Sequence, residues 1–144
     1  LTAAETGHLV LATLHTPDAP QTIERIIDAF PPHQQQQVKL QLSSALQAVV
    51  SQLLLPKADN SGRVLATEVM VVTPGIRNLI REQAIEQIPT AIQTGSAYGM
   101  NTMDKSLQKL YQEGTITYET AMENVKNKEE FRQLLSGSKT GMRK

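Results

Sequence analysis

Thr6-Gly7-His8-Leu9-Val10-Leu11-Ala12-Thr13-Leu14-His15-Thr16 is the stretch around which the rest of the 144 residues arrange themselves. Leu9, Val10, Leu11 and Leu14 form a short apolar run bounded by a glycine and by polar residues, and this reads as a buried strand of an α/β sheet. Thr13, His15 and Thr16 stand at its exit. Ligands of α/β folds collect beyond the carboxyl ends of the strands, so these three side chains are candidates for contact with one. Before the run, residues 1–6 read as the last turns of a helix. Gly7 follows, where the left-handed conformation costs glycine nothing. A helix with no beginning implies a piece of a longer protein.

Downstream, Asp18 is placed to cap a helix, with Pro20 in its first turn and Gln21 completing a capping box. Ile23, Ile26, Ile27 and Phe30 then share one face. Phe30-Pro31-Pro32 ends that helix, because the residue before a proline is pushed out of the helical region. A second helix carries Val38, Leu42, Ala45 and Val49 at helical spacing. The period then changes to that of strands over residues 49–55 and 63–72. Pro56-Lys57-Ala58-Asp59-Asn60-Ser61-Gly62 supplies turn chemistry between them, so the pair is a hairpin.

From Thr73 the chain turns helical. Thr73 caps, Pro74 suits the first helical position, and Ile76, Leu79 and Ile80 form a stripe, while Arg77 and Arg81 share another face. A further helix spans residues 84–95, with Pro89 in its first turn or at a kink and Gly95 as its stop. Met103, Leu107, Leu110 and Tyr111 mark the inward face of the next helix, which Gly114 ends. Thr117 caps another with Ala121, Met122 and Val125, and a last helix holds Phe131, Leu134 and Leu135. The expected organisation is residues 1–72 as an α/β core, 73–135 as an all-helical region, and 136–144 as a mobile tail without an apolar anchor.

Composition removes several function classes. Lys and Arg balance Asp and Glu at 14 each, so phosphate neutralisation gives no drive toward nucleic acid. No cysteine is present, which excludes disulfides and thiolate zinc sites. The apolar runs are far shorter than the roughly 20 residues of a membrane-crossing helix, and the N-terminus lacks the basic region and cleavage pattern of a signal peptide. These features fit a cytosolic globular piece. No G-x-x-x-x-G-K-[ST] pattern occurs, so the chain has no loop that cradles a triphosphate.

The Glu5-to-Thr16 run resembles the His-box strand of the secretion and type IV pilus motor ATPases, a RecA-like P-loop family. Gly75-Ile76-Arg77-Asn78-Leu79-Ile80-Arg81-Glu82 is similar to the octapeptide AIRNLIRE of its retraction branch, the PilT-like motors, with glycine in place of the first alanine. That exchange costs up to about 1 kcal/mol of helix propensity, and less near a helix end. Similarity continues through residues 91–95 and 99–104. Assembly and export motors of the family usually insert a four-cysteine zinc module after the first hairpin strand, and the short cysteine-free loop here favours retraction. The resemblance implies ATP and Mg²⁺ as cofactors of the intact protein, with the phosphate loop and the water-activating acid before residue 1 and no catalytic residue within the chain. It further implies a homo-hexamer, peripheral at the cytoplasmic side of the inner membrane and acting on a pilus platform protein. The fragment alone is expected to be inactive and to hold no ligand.

The same resemblance implies nucleotide sensing at His15, with Thr13, Thr16 and His8 beside it. His15 would donate a hydrogen bond to a γ-phosphate and lose it after hydrolysis, as switch segments do. In a regular strand His8 and His15 face opposite sides, roughly 23 Å apart at ~3.3 Å per residue, too far to share one metal. Without the resemblance, each is a histidine at a strand end and Glu5 a solvated acid. Ile76, Arg77, Asn78, Leu79, Ile80, Arg81 and Glu82 are implied as a motor-coupling or docking surface, against the plain alternative of a solvated face beside an apolar stripe. A pilus-assembly or type II secretion ATPase, and a non-catalytic docking module, are the rival functions.

Overall fold

The computed structural model describes residues 1–138. Its elements in chain order are α1 (Thr2–Glu5), α2 (Ala19–Asp28), α3 (Pro32–Ala45), β1 (Ala48–Pro56), β2 (Arg63–Val71), α4 (Pro74–Arg81), a 3₁₀ turn (Ile85–Gln87), α5 (Ile88–Thr94), a second 3₁₀ turn (Ser96–Tyr98), α6 (Met103–Gln112), α7 (Tyr118–Asn124) and α8 (Lys128–Ser138). The two strands form a single two-stranded sheet, and an isolated antiparallel bridge joins Val69 to Asn101. No helix among the described residues is long and apolar enough to cross a membrane.

The chain divides into two compact units. The first comprises Leu1–Ser51 and Glu68–Asn101, the second Gln52–Thr67 and, of the described residues, 102–138. This cuts across the boundary expected at residue 72. Side-chain packing decides the outcome: α4 and α5 bury Ile76, Ile80, Ile88 and Ile92 in one cluster with Ile23 and Ile27 of α2 and Val38 and Leu42 of α3. The second unit has its own cluster, in which Leu55 and Ala66 of the hairpin pack with Met103, Leu107, Ile116, Ala121 and Phe131. Because α8 runs to Ser138, it takes in the start of the expected tail, and residues 139–144 lie outside the described residues.

Local chemistry explains most helix ends. The Asp18 carboxylate caps α2, accepting the Gln21 N–H at 2.9 Å and the Gln21 side-chain amide at 3.3 Å; both bonds run toward Asp18, and neither is the return bond to the Asp18 N–H that a capping box requires. Thr73, Thr102 and Thr117 cap α4, α6 and α7 through their hydroxyls. Pro89 stands in the first turn of α5, where a missing N–H costs nothing. Gly7 and Gly114 are left-handed, with φ of 91° and 69°. Gly95 acts differently: its φ is −89°, and a Cβ there would come within 2.8 Å of the Ala91 carbonyl oxygen and the Met100 sulfur. Close packing, rather than backbone freedom, requires glycine at that position.

The buried strand expected over residues 6–16 is not formed. Gly7 ends α1, and the run continues as an exposed irregular segment in which Leu9 and Leu11 are each 87% exposed. A strand is stable only when its N–H and C=O groups have a neighbour to pair with. Among the described residues no hydrogen bond reaches the main chain of residues 9–16, and the hairpin is the only sheet. Alternation and apolarity mark a segment able to pair. They do not supply the partner.

Candidate functional site

Two regions of the first unit carry the side chains singled out by the sequence: the segment from His8 to Thr16, and α4. The geometric separation of His8 and His15 argued from a strand does not apply, since no strand forms. Thr6 donates its hydroxyl proton to the Ala3 carbonyl at 3.0 Å, and His8 Nδ1 lies 3.1 Å from Thr6 Oγ1. A hydroxyl has one proton, so Nδ1 of His8 is the donor in that contact. Nε2 of a neutral His8 is then an acceptor. Thr13 and His15 are exposed, and neither has a hydrogen-bond or ion-pair partner among the described residues. Both are free to donate outward.

Thr16 is committed elsewhere. Thr22 donates its hydroxyl to the Asp18 carbonyl at 2.7 Å, which leaves Thr16 to donate to Thr22 Oγ1 at 2.6 Å. The proton expected to meet a ligand instead fastens the loop to the first turn of α2. No hydrogen bond joins any two of His8, Thr13, His15 and Thr16 among the described residues.

In α4 the expected stripe is buried, with Ile76 and Ile80 at 1% and 0% exposure and Leu79 packed against the same cluster. Arg77 and Arg81, expected to share the other face, take different partners. Arg77 turns to the end of α3, donating from Nη1 to the carbonyls of Ser43 at 2.8 Å and Ser44 at 2.6 Å. These are among the orphan carbonyls of a helix C-terminus, where a cation also complements the helix dipole. Arg81 stays outside: its Nη2 donates to Asn78 Oδ1 at 2.8 Å and its Nε lies 4.0 Å from Glu82 Oε1. Asn78, Arg81 and Glu82 are the members of the octapeptide available to a partner.

Three further residues shape this region and escaped the sequence reading. Glu68 of β2, 4% exposed, accepts the Ala19 N–H at 3.0 Å and so places a carboxylate at the N-terminus of α2. Its signal was present, because Ala66, Glu68 and Met70 alternate on one face and an acid in a buried row needs a partner. Lys39 of α3, 8% exposed, donates its ammonium to the side-chain oxygen of Gln83. Gln83 itself has φ of 60°, and no local sequence signal marks a glutamine as left-handed. A depression on this unit is lined in part by Glu24, Asp28, Gln83 and Glu86, and no residue of the expected site lines it. No group of three or more His, Asp or Glu able to hold a metal occurs among the described residues.

Comparison with known proteins places the chain. Residues 1–143 match the family described as type II/IV secretion system protein. A twitching motility protein of Neisseria gonorrhoeae is 50% identical over 129 residues, 90% of this chain and 34% of that protein. The type IV pilus retraction ATPase PilT of Pseudomonas aeruginosa is 50% identical over 131 residues, 91% of this chain and 38% of that protein. The chain thus spans little more than a third of the length of these relatives. The crystal structure of the pilus retraction motor PilT with bound ADP superposes with a TM-score of 0.80 at 48% identity, over 92% of this chain and 36% of that one. The α/β arrangement is accordingly that of part of a RecA-like ATPase domain. The match across nearly its whole length shows that the chain belongs to the type II/IV secretion system protein family.

Proposed function

We propose that the protein to which this chain belongs is a motor ATPase that couples ATP hydrolysis to retraction of type IV pili. The observation that carries this reading is 50% identity to a retraction ATPase across nine-tenths of the chain. The reading extends to a homo-hexamer that sits at the cytoplasmic side of the inner membrane and works against a pilus platform protein, with no nucleic acid bound. The chain alone lacks a triphosphate-cradling loop in its sequence and is proposed to be inactive by itself.

Nucleotide sensing falls to His15, with Thr13 beside it. A phosphate oxygen needs a donor that is not already engaged, and these two side chains meet that requirement, whereas Thr16 does not. His8, with Nδ1 directed at Thr6, contributes a second donor only as the imidazolium. ATP supplies the free energy of phosphoanhydride cleavage when bound. The solved relative that holds ADP supports a nucleotide in this role. Mg²⁺ accompanies ATP in the intact protein, held largely by phosphate oxygens and water as that ion prefers.

Motor coupling falls to α4. Ile76, Leu79 and Ile80 seat the helix in the core, Arg77 ties it to α3, and Asn78, Arg81 and Glu82 face outward as the surface that meets a neighbour. Deleting the gene in its own organism tests the assignment. Retraction predicts cells that keep or accumulate pili and lose twitching. Loss of the pili themselves would assign the protein to assembly instead, and an intact protein without ATP turnover above a buffer control would leave only docking.

A further inference from the structure

We propose that Lys39 is a positioning residue for α4: it holds Gln83 in the left-handed conformation and so fixes the Arg81–Glu82 end of the octapeptide. The proposal rests on the reading of α4 as the coupling helix, and deepens it. Glutamine carries a Cβ, which crowds the following carbonyl when φ is positive, so Gln83 keeps its φ of 60° only if the surroundings hold it there. The backbone pattern at this helix end is the one glycine ordinarily completes: the Ala84 N–H donates to the Leu79 carbonyl at 2.9 Å and the Gln83 N–H to the Ile80 carbonyl at 3.3 Å. The second bond is long. What glycine would supply by freedom, this chain supplies with a second contact from another helix.

Lys39 is the source of that contact. It lies on the buried face of α3 with Val38, Leu42 and Ser43, and its ammonium meets the neutral side-chain oxygen of Gln83. Lysine is seldom so buried, because ordering its stem and desolvating its charge are both costly. Among the described residues no ion pair involves it. Its placement is explained by the turn that it holds. Arg77 grips α3 at Ser43 and Ser44, about 7 Å further along the helix axis at 1.5 Å per residue. Two grips at separate points define an orientation, whereas one leaves a pivot. Displacement of α3 is thereby passed to the outward end of α4 without a change in the shape of either helix.

Amide hydrogen exchange in the chain itself tests this. Lys39→Met keeps the stem and removes the ammonium. The Gln83 and Ala84 amides should then exchange about tenfold faster, while the Ile27 amide in the same unit changes much less. The three-bond coupling between the Gln83 amide and α protons should depart from its left-handed value. Lys39→Arg should restore both, and so should Gln83→Gly in the K39M background, since glycine needs no latch. Unchanged exchange at both amides in K39M, or equal acceleration at Ile27, overturns the proposal. In the intact protein K39M should lower retraction per ATP hydrolysed more than turnover, and an unchanged ratio overturns the link to coupling. The exchange measurement involves no nucleotide, so a failure of the motor reading leaves a result on the latch standing.

Discussion

The guanidinium of Arg77 closes the C-terminal end of α3, 2.8 Å from the Ser43 carbonyl and 2.6 Å from that of Ser44, although the two partners lie more than thirty residues upstream. Charge-assisted bonds to otherwise orphaned carbonyls are worth more than surface ion pairs. Arg77→Ala should therefore cost about 1–2 kcal/mol in urea unfolding, and Arg77→Lys should recover only part of it because the planar fork is lost. Arg81→Ala should fall within about 0.5 kcal/mol of the parent, as its contacts are exposed. Equal costs for the two arginines would show that the division of labour inside the octapeptide is wrong.

Glu68 offers a second contrast. Its buried carboxylate meets the first N–H of α2, so Glu68→Ala should destabilise by about 2–3 kcal/mol through loss of the acceptor and of charge near the helix N-terminus. Glu68→Gln retains an oxygen and should cost about 1 kcal/mol. A urea midpoint for E68Q as low as that of E68A would mean that shape, not hydrogen bonding, sets the requirement.

Two glycines should respond in opposite directions. At Gly75 the nearest atom to an added Cβ is Thr73 Oγ1 at 3.8 Å, an ordinary contact, and α4 gains helix propensity, so Gly75→Ala should stabilise by up to about 1 kcal/mol. At Gly95 the same methyl meets a backbone carbonyl at 2.8 Å, and Gly95→Ala should lose about 1–3 kcal/mol to overpacking. Thermal midpoints of the two variants that moved the same way would contradict this.

The hairpin loop carries a titration marker. The Ser61 hydroxyl and backbone N–H both favour the ionised form of Asp59 and hold its carboxyl below the usual carboxylate value. A depressed folded-state value means that the loop is steadied above the ordinary carboxylate range and released as the pH falls through the lowered midpoint. Carbon-detected NMR titration should find that midpoint below 3.8, and Ser61→Ala should move it upward. An Asp59 midpoint unaffected by S61A would remove the serine hydroxyl as its cause.

Features written in neighbouring residues were legible in the sequence. Asp18 as the cap of α2, the Thr73 and Thr117 caps, Pro89 in a first turn, the left-handed Gly7 and the helix stop at Gly114 each depend on residues a few positions apart, and each is found. The hairpin also forms within a residue of its expected limits. What was misread depends on a partner remote in the chain. Leu9 to Leu14 has the pattern of a strand but no neighbour to pair with among the described residues, and Arg77 follows the surface period of α4 yet finds carbonyls of α3. Gln83 was invisible because its conformation is held from another helix, by Lys39.

The first unit is interrupted in sequence: Leu1–Ser51 must wait for Glu68–Asn101 before its cluster closes. On a ribosome that adds roughly 5–20 residues per second, the stretch from 52 to 101 takes roughly 3–10 s to synthesise. Nascent α2 and α3 spend that interval with Ile23, Ile27, Val38 and Leu42 uncovered, the period in which a holdase chaperone would find the most to bind.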